Sequence, residues 1–411
     1  MATSRLAAAR PDTETEQEDR RSSPPVDVTI VAHDIGPVGG MERQLSALLL
    51  GLRSLGHDVT VVARTCELPP DSGVAFHRVR APGRPFLLAY PWFIVAGTLA
   101  TRRRRRGVVQ ATGAIVLNRV DAVAVHYCHQ VGPATPSRSS LLFRWHVRAA
   151  AILKRLGERV CFRANRPSAV VCVSEGVAEE VRSYFPGLAD RVVTIHNGID
   201  TASFAPGTRS VDSQALRASL ELADGALVAA FVGSEWERKG LEPAICALAL
   251  SPRWVLLVAG AGDRARYEAL AQELGVGDRV RWLGVTSDVQ LVYQAADAFV
   301  LPSAYETFSL VTYEAAASGL PVLATPVSGV AELIEDGRNG FLIGRDPDSI
   351  AARLRQLAGD EQLRDRLGAA ARESALAYSS ERMVLRHAEL YEKLGRRAAA
   401  HQSKSAAPRA G

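Results

Sequence analysis

Two stretches of this chain repeat one rhythm: an unbroken run of Val, Ile, Leu and Ala, a loop carrying glycine, then apolar residues at helical spacing. The first runs from "VDVTIVA" (Val26 to Ala32) through "HDIGPVGG" into "MERQLSALLLGLRSLGH". There Met41, Leu45, Leu48, Leu49, Leu52 and Leu55 share a helical face and Gly56 ends the helix. "DVTVVA" (Asp58 to Ala63) follows as the next strand. Strand, helix and strand in so short a span require parallel pairing and a right-handed crossover. The rhythm restarts beyond a Pro/Gly/Ser-containing stretch near Phe204 to Ser213, with strands "ALVAAFVG", "WVLLVAG", "RVRWLG", "AFVLPS", "PVLAT" and "GFLIG". Continuous rather than alternating apolar runs mean that both faces of each sheet are covered. The expected fold is α/β: two Rossmann-like domains with parallel sheets facing across a cleft, with ligand at the carboxyl ends of the strands.

The length of 411 residues suits two domains of ordinary size, each burying its own core. An N-terminal domain is expected at 26–205, a C-terminal domain at 206–379 and a helix at about 380–395 that returns to the first domain. Residues 1–25 and 396–411 read as disordered tails, and no secretory signal is visible. Five scattered cysteines lack any zinc spacing, which favours a reducing, cytoplasmic compartment. Charge is uneven. Between Ser72 and Gly157 stand fourteen Lys/Arg, including Arg102 to Arg106, Arg138 and Arg144, against the single acid Asp121. The same region holds "FLLAYPWFIVAGTLA" (Phe86 to Ala100), too short for a spanning helix. A basic, partly apolar surface suits docking on anionic headgroups at the inner face of a membrane, or is a solvated helix face. Nucleic acid is not expected, because aromatics interleaved with the cations are sparse.

The most informative chemistry lies in "LPSAYETFSLVTYEAAASGLPVLATP" (Leu301 to Pro326). Glu306 follows a strand at the mouth of a helix, Glu314 lies within that helix, and the backbone N–H groups of Phe308, Ser309, Leu310 and Val311 form the helix start, a ready anion site. Eight residues of helix advance about 12 Å, too far for the paired carboxylates of a glycosidase. In "FVGSEWERKGLEPAI", Arg238 and Lys239 stand at a strand-to-helix loop, as a departing diphosphate needs. In "GPVGGMERQ", Gly39 and Gly40 allow the backbone close to a phosphate or sugar. This is not the GxGxxG fingerprint, so a dinucleotide cofactor is not expected.

Together these motifs resemble the retaining family-4 glycosyltransferases of the GT-B fold. The resemblance runs from Val26 to about Leu394 and includes "VSEGVAEEV", "IHNGID", "SGLPVLAT" and "EDGRNGFLI". It implies that Arg238 and Lys239 bind the donor diphosphate, Glu306 the donor sugar, and Glu314 the ribose. Gly39 and Gly40 would flank the diphosphate from the opposite domain, and a histidine, His126 in preference to His129, would lie near the anomeric centre. It implies a nucleotide-diphosphate sugar as donor and a glycan or lipid-linked acceptor, with retained configuration and neither cofactor nor metal. Asp346 and Asp348, straddling Pro347, do not make a metal-binding DxD pair. Two departures from the family pattern stand out: Ser309 occupies a position that is usually glycine, and Gly329 is followed by Val330 and Ala331 before Glu332. A sugar-nucleotide epimerase and a non-catalytic nucleotide-sugar-binding protein are the rival readings. Donor base, sugar and acceptor are not written in the motifs.

Overall fold

The computed structural model describes residues 25–37, 39–131, 141–207 and 211–406. The tail read at 1–25 therefore falls almost wholly outside the described residues, as does Arg138. The first domain holds β1 (Asp27–Val31), α1 (Gly40–Ser54), β2 (Asp58–Ala63), β3 (Ala75–Arg78), α2 (Phe86–Arg104), β4 (Val108–Thr112) and β5 (Ala122–Val125). It continues through α3 (Leu141–Asn165), β6 (Ala169–Cys172), α4 (Glu175–Tyr184) and β7 (Val192–Thr194). Its main sheet has seven strands in the order β3-β2-β1-β4-β5-β6-β7, every pair parallel.

The second domain opens with α5 (Val211–Ser219), β8 (Leu227–Val232), the single turn α6 (Trp236–Lys239), α7 (Leu241–Ala249) and β9 (Trp254–Ala259). Next come α8 (Arg264–Glu273), β10 (Val280–Gly284), α9 (Val289–Gln294), β11 (Ala298–Leu301), α10 (Leu310–Ala317) and β12 (Val322–Ala324). The domain closes with α11 (Val330–Leu333), β13 (Gly340–Leu342), α12 (Pro347–Gly359) and α13 (Glu361–Ala375). Its six strands, ordered β10-β9-β8-β11-β12-β13, are also parallel throughout. All six residues of β8 are buried, as expected of a strand with helices on both faces.

The last helix, α14 (Ser380–Ala406), leaves the second domain and packs on the first. Met383, Val384, Ala388, Tyr391 and Leu394 join Leu45, Leu48, Leu49 and Leu52 of α1 in one core. The crossing is stitched by backbone bonds, Ile199 N–H to Tyr378 O and Ser380 N–H to Ile199 O. The expected end of this helix near 395 is corrected: it continues to Ala406. Gly395 does not stop it, because the arginines and alanines that follow are strong helix formers. No helix among the described residues is long and apolar enough to cross a membrane. Asp346 has a local duty, capping α12 by accepting from the Ser349 N–H at 2.8 Å.

Candidate active site

The centre of the site is built where β8 and β11 end side by side. Trp236, 4% exposed, anchors the turn α6 by donating to the Gly233 carbonyl at 2.9 Å and packing against Tyr267 and Trp282. That anchor fixes the two cations that follow it. The stem of Lys239 passes so close to Gly233 that a Cβ there would stand 2.6 Å from Cε, which explains glycine at this strand end. Lys239 Nζ donates to Glu306 Oε1 at 2.8 Å, and the Arg238 guanidinium lies 3.2 Å from the same oxygen. Ser303 Oγ donates to it at 2.9 Å. Arg238 is held further by Glu235 and by the Tyr305 carbonyl.

The sequence reading of Arg238, Lys239 and Glu306 as one cluster is thus drawn together in space. Glu306 is 8% exposed. Burial alone would raise its pKa, but Lys239 and Arg238 outweigh it and hold the carboxyl below its ordinary value. A charged carboxylate is thereby kept ionised in a dry wall.

The chain then turns into α10. The N–H groups of Phe308, Ser309, Leu310 and Val311 make no hydrogen bond among the described residues, which leaves the helix start open to an anion. Ser309 sits in the left-handed region, φ 69, and its hydroxyl lies 2.8 Å from that of Thr312. Left-handed backbone costs a side-chain-bearing residue about 1 kcal/mol. Ser309→Gly is therefore expected to keep transfer within a few-fold and leave the melting temperature unchanged or raised. Ser309→Val, β-branched where φ is positive, is expected to lower it.

Only the second half of the Glu306–Glu314 interval is helical, since α10 begins at Leu310. The expected helical rise between the two carboxylates therefore does not apply, and what separates them is their partners. Glu314, 4% exposed, accepts from Tyr293 Oη at 3.2 Å and, across the cleft, from Arg43 of α1 at 3.4 Å. Burial raises its pKa, and Arg43 and Tyr293 only partly offset this.

The first-domain wall is the loop at Gly39 and Gly40. Gly39 has φ 96 and ψ 150, a conformation open to glycine, and a Cβ on Gly40 would lie 3.3 Å from Leu310 of the second domain. Gly40 thus faces the start of α10. A second contact joins the domains: Glu332 accepts from the N–H groups of Glu175 and Gly176 at the start of α4, and lies 2.7 Å from His196 Nε2. The unusual "SGVAE" loop therefore ties the second domain to the first. Replacing Glu332 by alanine removes these bonds across the cleft. An increased radius of gyration in small-angle scattering is expected, and an unchanged one would assign closure to other contacts.

His126 lies apart from this cluster. Residues alternate along β5, so Ala124 and His126 face α14, in a hollow of about 20 Å³ with Gln44, Asn197, Met383 and His387. Burial, with His387 adding, pushes its pKa down to about 4. Tyr127 points the other way, its ring centroid 5.6 Å from that of Tyr305, whose hydroxyl donates to Glu180 of α4. His129 packs against Tyr127, and burial and Lys154 lower its pKa to about 4.

Arg43, Tyr293, Ser303 and the Glu332 latch escape sequence reading. Arg43 alone carried a signal, being a cation in the first turn of a helix, against the helix dipole.

Known proteins bear directly on this geometry. Residues 38–203 match the family described as Glycosyltransferase Family 4, and residues 212–374 match Glycosyl transferases group 1. The chain belongs to glycosyltransferase family 4. It is 28% identical to an uncharacterized glycosyltransferase of Methanocaldococcus jannaschii, over 80% of this chain and 87% of that protein. Its fold is shared with WaaG, a glycosyltransferase involved in lipopolysaccharide biosynthesis (TM-score 0.72, 21% identity, covering 90% of this chain and 98% of WaaG). HepE from Anabaena in complex with UDP-glucose is also similar, with TM-score 0.67 and 18% identity, covering 91% of this chain and 100% of HepE. The fold is accordingly GT-B, two Rossmann-like domains.

Proposed function

We propose that this glycosyltransferase takes a sugar from a nucleotide-diphosphate donor and places it on a glycan or lipid-linked acceptor, with retained configuration and without a bound metal. The observation that carries the donor reading is the meeting of Lys239 and Arg238 on an ionised Glu306, which stands two residues before the open amides that start α10. Breaking an anomeric C–O bond moves negative charge onto the departing diphosphate. Preorganised cations and amides in a water-poor wall stabilise that charge with no reorganisation at the moment of reaction. Glu306 would accept from hydroxyls of the donor sugar, and Glu314 from those of the ribose. Gly39 and Gly40 would close over the diphosphate. His126, turned toward α14 with Met383 and His387, takes no part in this reading.

The complex of HepE with UDP-glucose supports a nucleotide sugar as donor, and the role of WaaG in lipopolysaccharide biosynthesis is in keeping with a lipid-linked acceptor. Free thiols at all five cysteines suit the cytoplasm, and an acceptor of that kind puts the enzyme at the inner face of a membrane.

A thermal-shift panel of UDP-, GDP- and ADP-sugars tests the donor reading. One nucleotide class should raise the melting temperature, by an amount set by its concentration over Kd. The shift should be lost in Lys239→Ala, and transfer should persist in excess chelator. No shift with any donor contradicts the reading. Conversion of donor to an epimer without acceptor would install the epimerase instead.

A further inference from the structure

We infer that the outer faces of α2 and α3 seat the enzyme on an anionic lipid leaflet, with the arginines at the end of α2 gripping lipid phosphates. On α2 the exposed residues Leu88, Trp92, Val95 and Leu99 recur at intervals of four, three and four, forming one stripe about 16 Å long. On α3 Trp145, Ile152, Leu156 and Val160 form a second stripe. The two tryptophans are 59% and 68% exposed, large apolar rings left in water by the rest of the fold. The helices lie side by side, for Lys154 Nζ stands 4.8 Å from the Phe86 ring and the Tyr90 hydroxyl fills the space where Gly157 lacks a side chain.

The charge beside these stripes has one sign. Exposed Arg148, Arg159 and Arg163 punctuate the α3 stripe, and Arg102 to Arg106 continue from the α2 stripe. The only acids between Phe86 and Asn165 are Asp121, paired with Arg105, and Glu158, which is buried. Arg103, Arg104, Arg105 and Arg106, with His77 and Thr60, wall a hollow of about 280 Å³. The guanidinium groups of Arg103, Arg104 and Arg106 have no partner among the described residues. A surface that offers apolar side chains and unpaired cations together is met by a ligand that is both, and a leaflet with anionic headgroups over acyl chains is such a ligand. A purely polar polyanion would leave the stripes in water, and a purely apolar partner would leave the arginines unpaired.

The inference rests on the lipid-linked acceptor proposed above for its purpose, while the binding itself requires no transfer. It is tested on the full chain without donor, by flotation with phosphatidylcholine vesicles and with vesicles containing phosphatidylglycerol, at low and high salt. Binding should require the anionic lipid, weaken with salt and shift the tryptophan emission to the blue, since Trp236 and Trp254 are already buried and Trp92 and Trp145 are free to respond. Replacing Arg103, Arg104 and Arg106 by glutamine should weaken binding about a hundredfold. Trp92→Ser with Trp145→Ser should abolish the emission shift and weaken binding at least tenfold. Millimolar inorganic phosphate should not compete. If it does, the hollow is a site for free phosphate and the lipid assignment falls. Absence of flotation at low salt overturns the proposal, as does flotation that neither variant alters. So does a wild-type dimer that the tryptophan variant dissociates without vesicles. Failure of the transferase reading is separable: a chain that floats yet binds no nucleotide sugar keeps the lipid surface and loses the donor site, and the reverse outcome loses only the surface.

Discussion

Transfer should fall about a thousandfold when Lys239 is replaced by alanine, with most of the loss in kcat. Nζ lies 2.8 Å from Glu306 in a pocket where the lysine is 8% exposed, so the charge acts through little water. Removing one preorganised donor from such a site typically costs 10² to 10³ in rate, about 3 to 4 kcal/mol. A full positive charge aimed at a departing diphosphate belongs at the upper end. Some stability goes too, because Glu306 loses a buried partner, but Arg238 and Ser303 still hold it, so the variant should fold. Lys239→Arg should rescue only in part, since a planar guanidinium does not follow the narrow path over Gly233. The measurement is kcat/KM with saturating acceptor, beside a circular dichroism spectrum. Retention of near wild-type transfer in a folded Lys239→Ala protein would remove the lysine from the chemistry.

Glu306→Gln should have two opposed effects. Without donor, Glu306 neutralises the cations that are to meet the diphosphate. Removing its charge should tighten binding of a bare nucleoside diphosphate while lowering transfer about a hundredfold, the proposed loss of a charged contact to the donor sugar. Stability should follow its own sign. The pKa of Glu306 lies below its ordinary value, so the carboxylate stabilises the fold at pH values above the unfolded pKa. That contribution fades as pH falls through the lower, folded value. Glu306→Gln should therefore melt earlier than wild type at neutral pH, the gap closing in acid. Glu314 has the opposite sign: its pKa is raised by burial, so its ionisation opposes folding as pH rises through the folded value. Glu314→Gln should not share the neutral-pH loss. Equal melting shifts for the two variants would contradict this division.

How much of this was written in the sequence differs from residue to residue. The strand runs and their glycine loops expose the two parallel sheets because burial on both faces leaves a local compositional mark. Arg238, Lys239, Glu306 and the start of α10 are legible because each sits at the end of a strand, and parallel strands deliver their carboxyl ends to one edge. The bond from Arg43 to Glu314 joins residues 271 positions apart, and no local pattern encodes it. The Glu332 latch is likewise a product of how the domains meet. His126 shows a different limit: its place at a strand end was correctly legible, but the twofold alternation of β5 decides which face it takes, and that face looks to α14. The overlong α14 shows that one glycine among strong helix formers is too weak a stop.

Calorimetric titration of a nucleoside diphosphate and its monophosphate into the wild-type protein and Lys239→Ala tests the central claim, that a pyrophosphate is bound between these cations and α10. The diphosphate should bind the wild type more tightly than the monophosphate does, and that advantage should vanish in the variant. Diphosphate affinity unchanged by loss of Lys239 would contradict the site as built here.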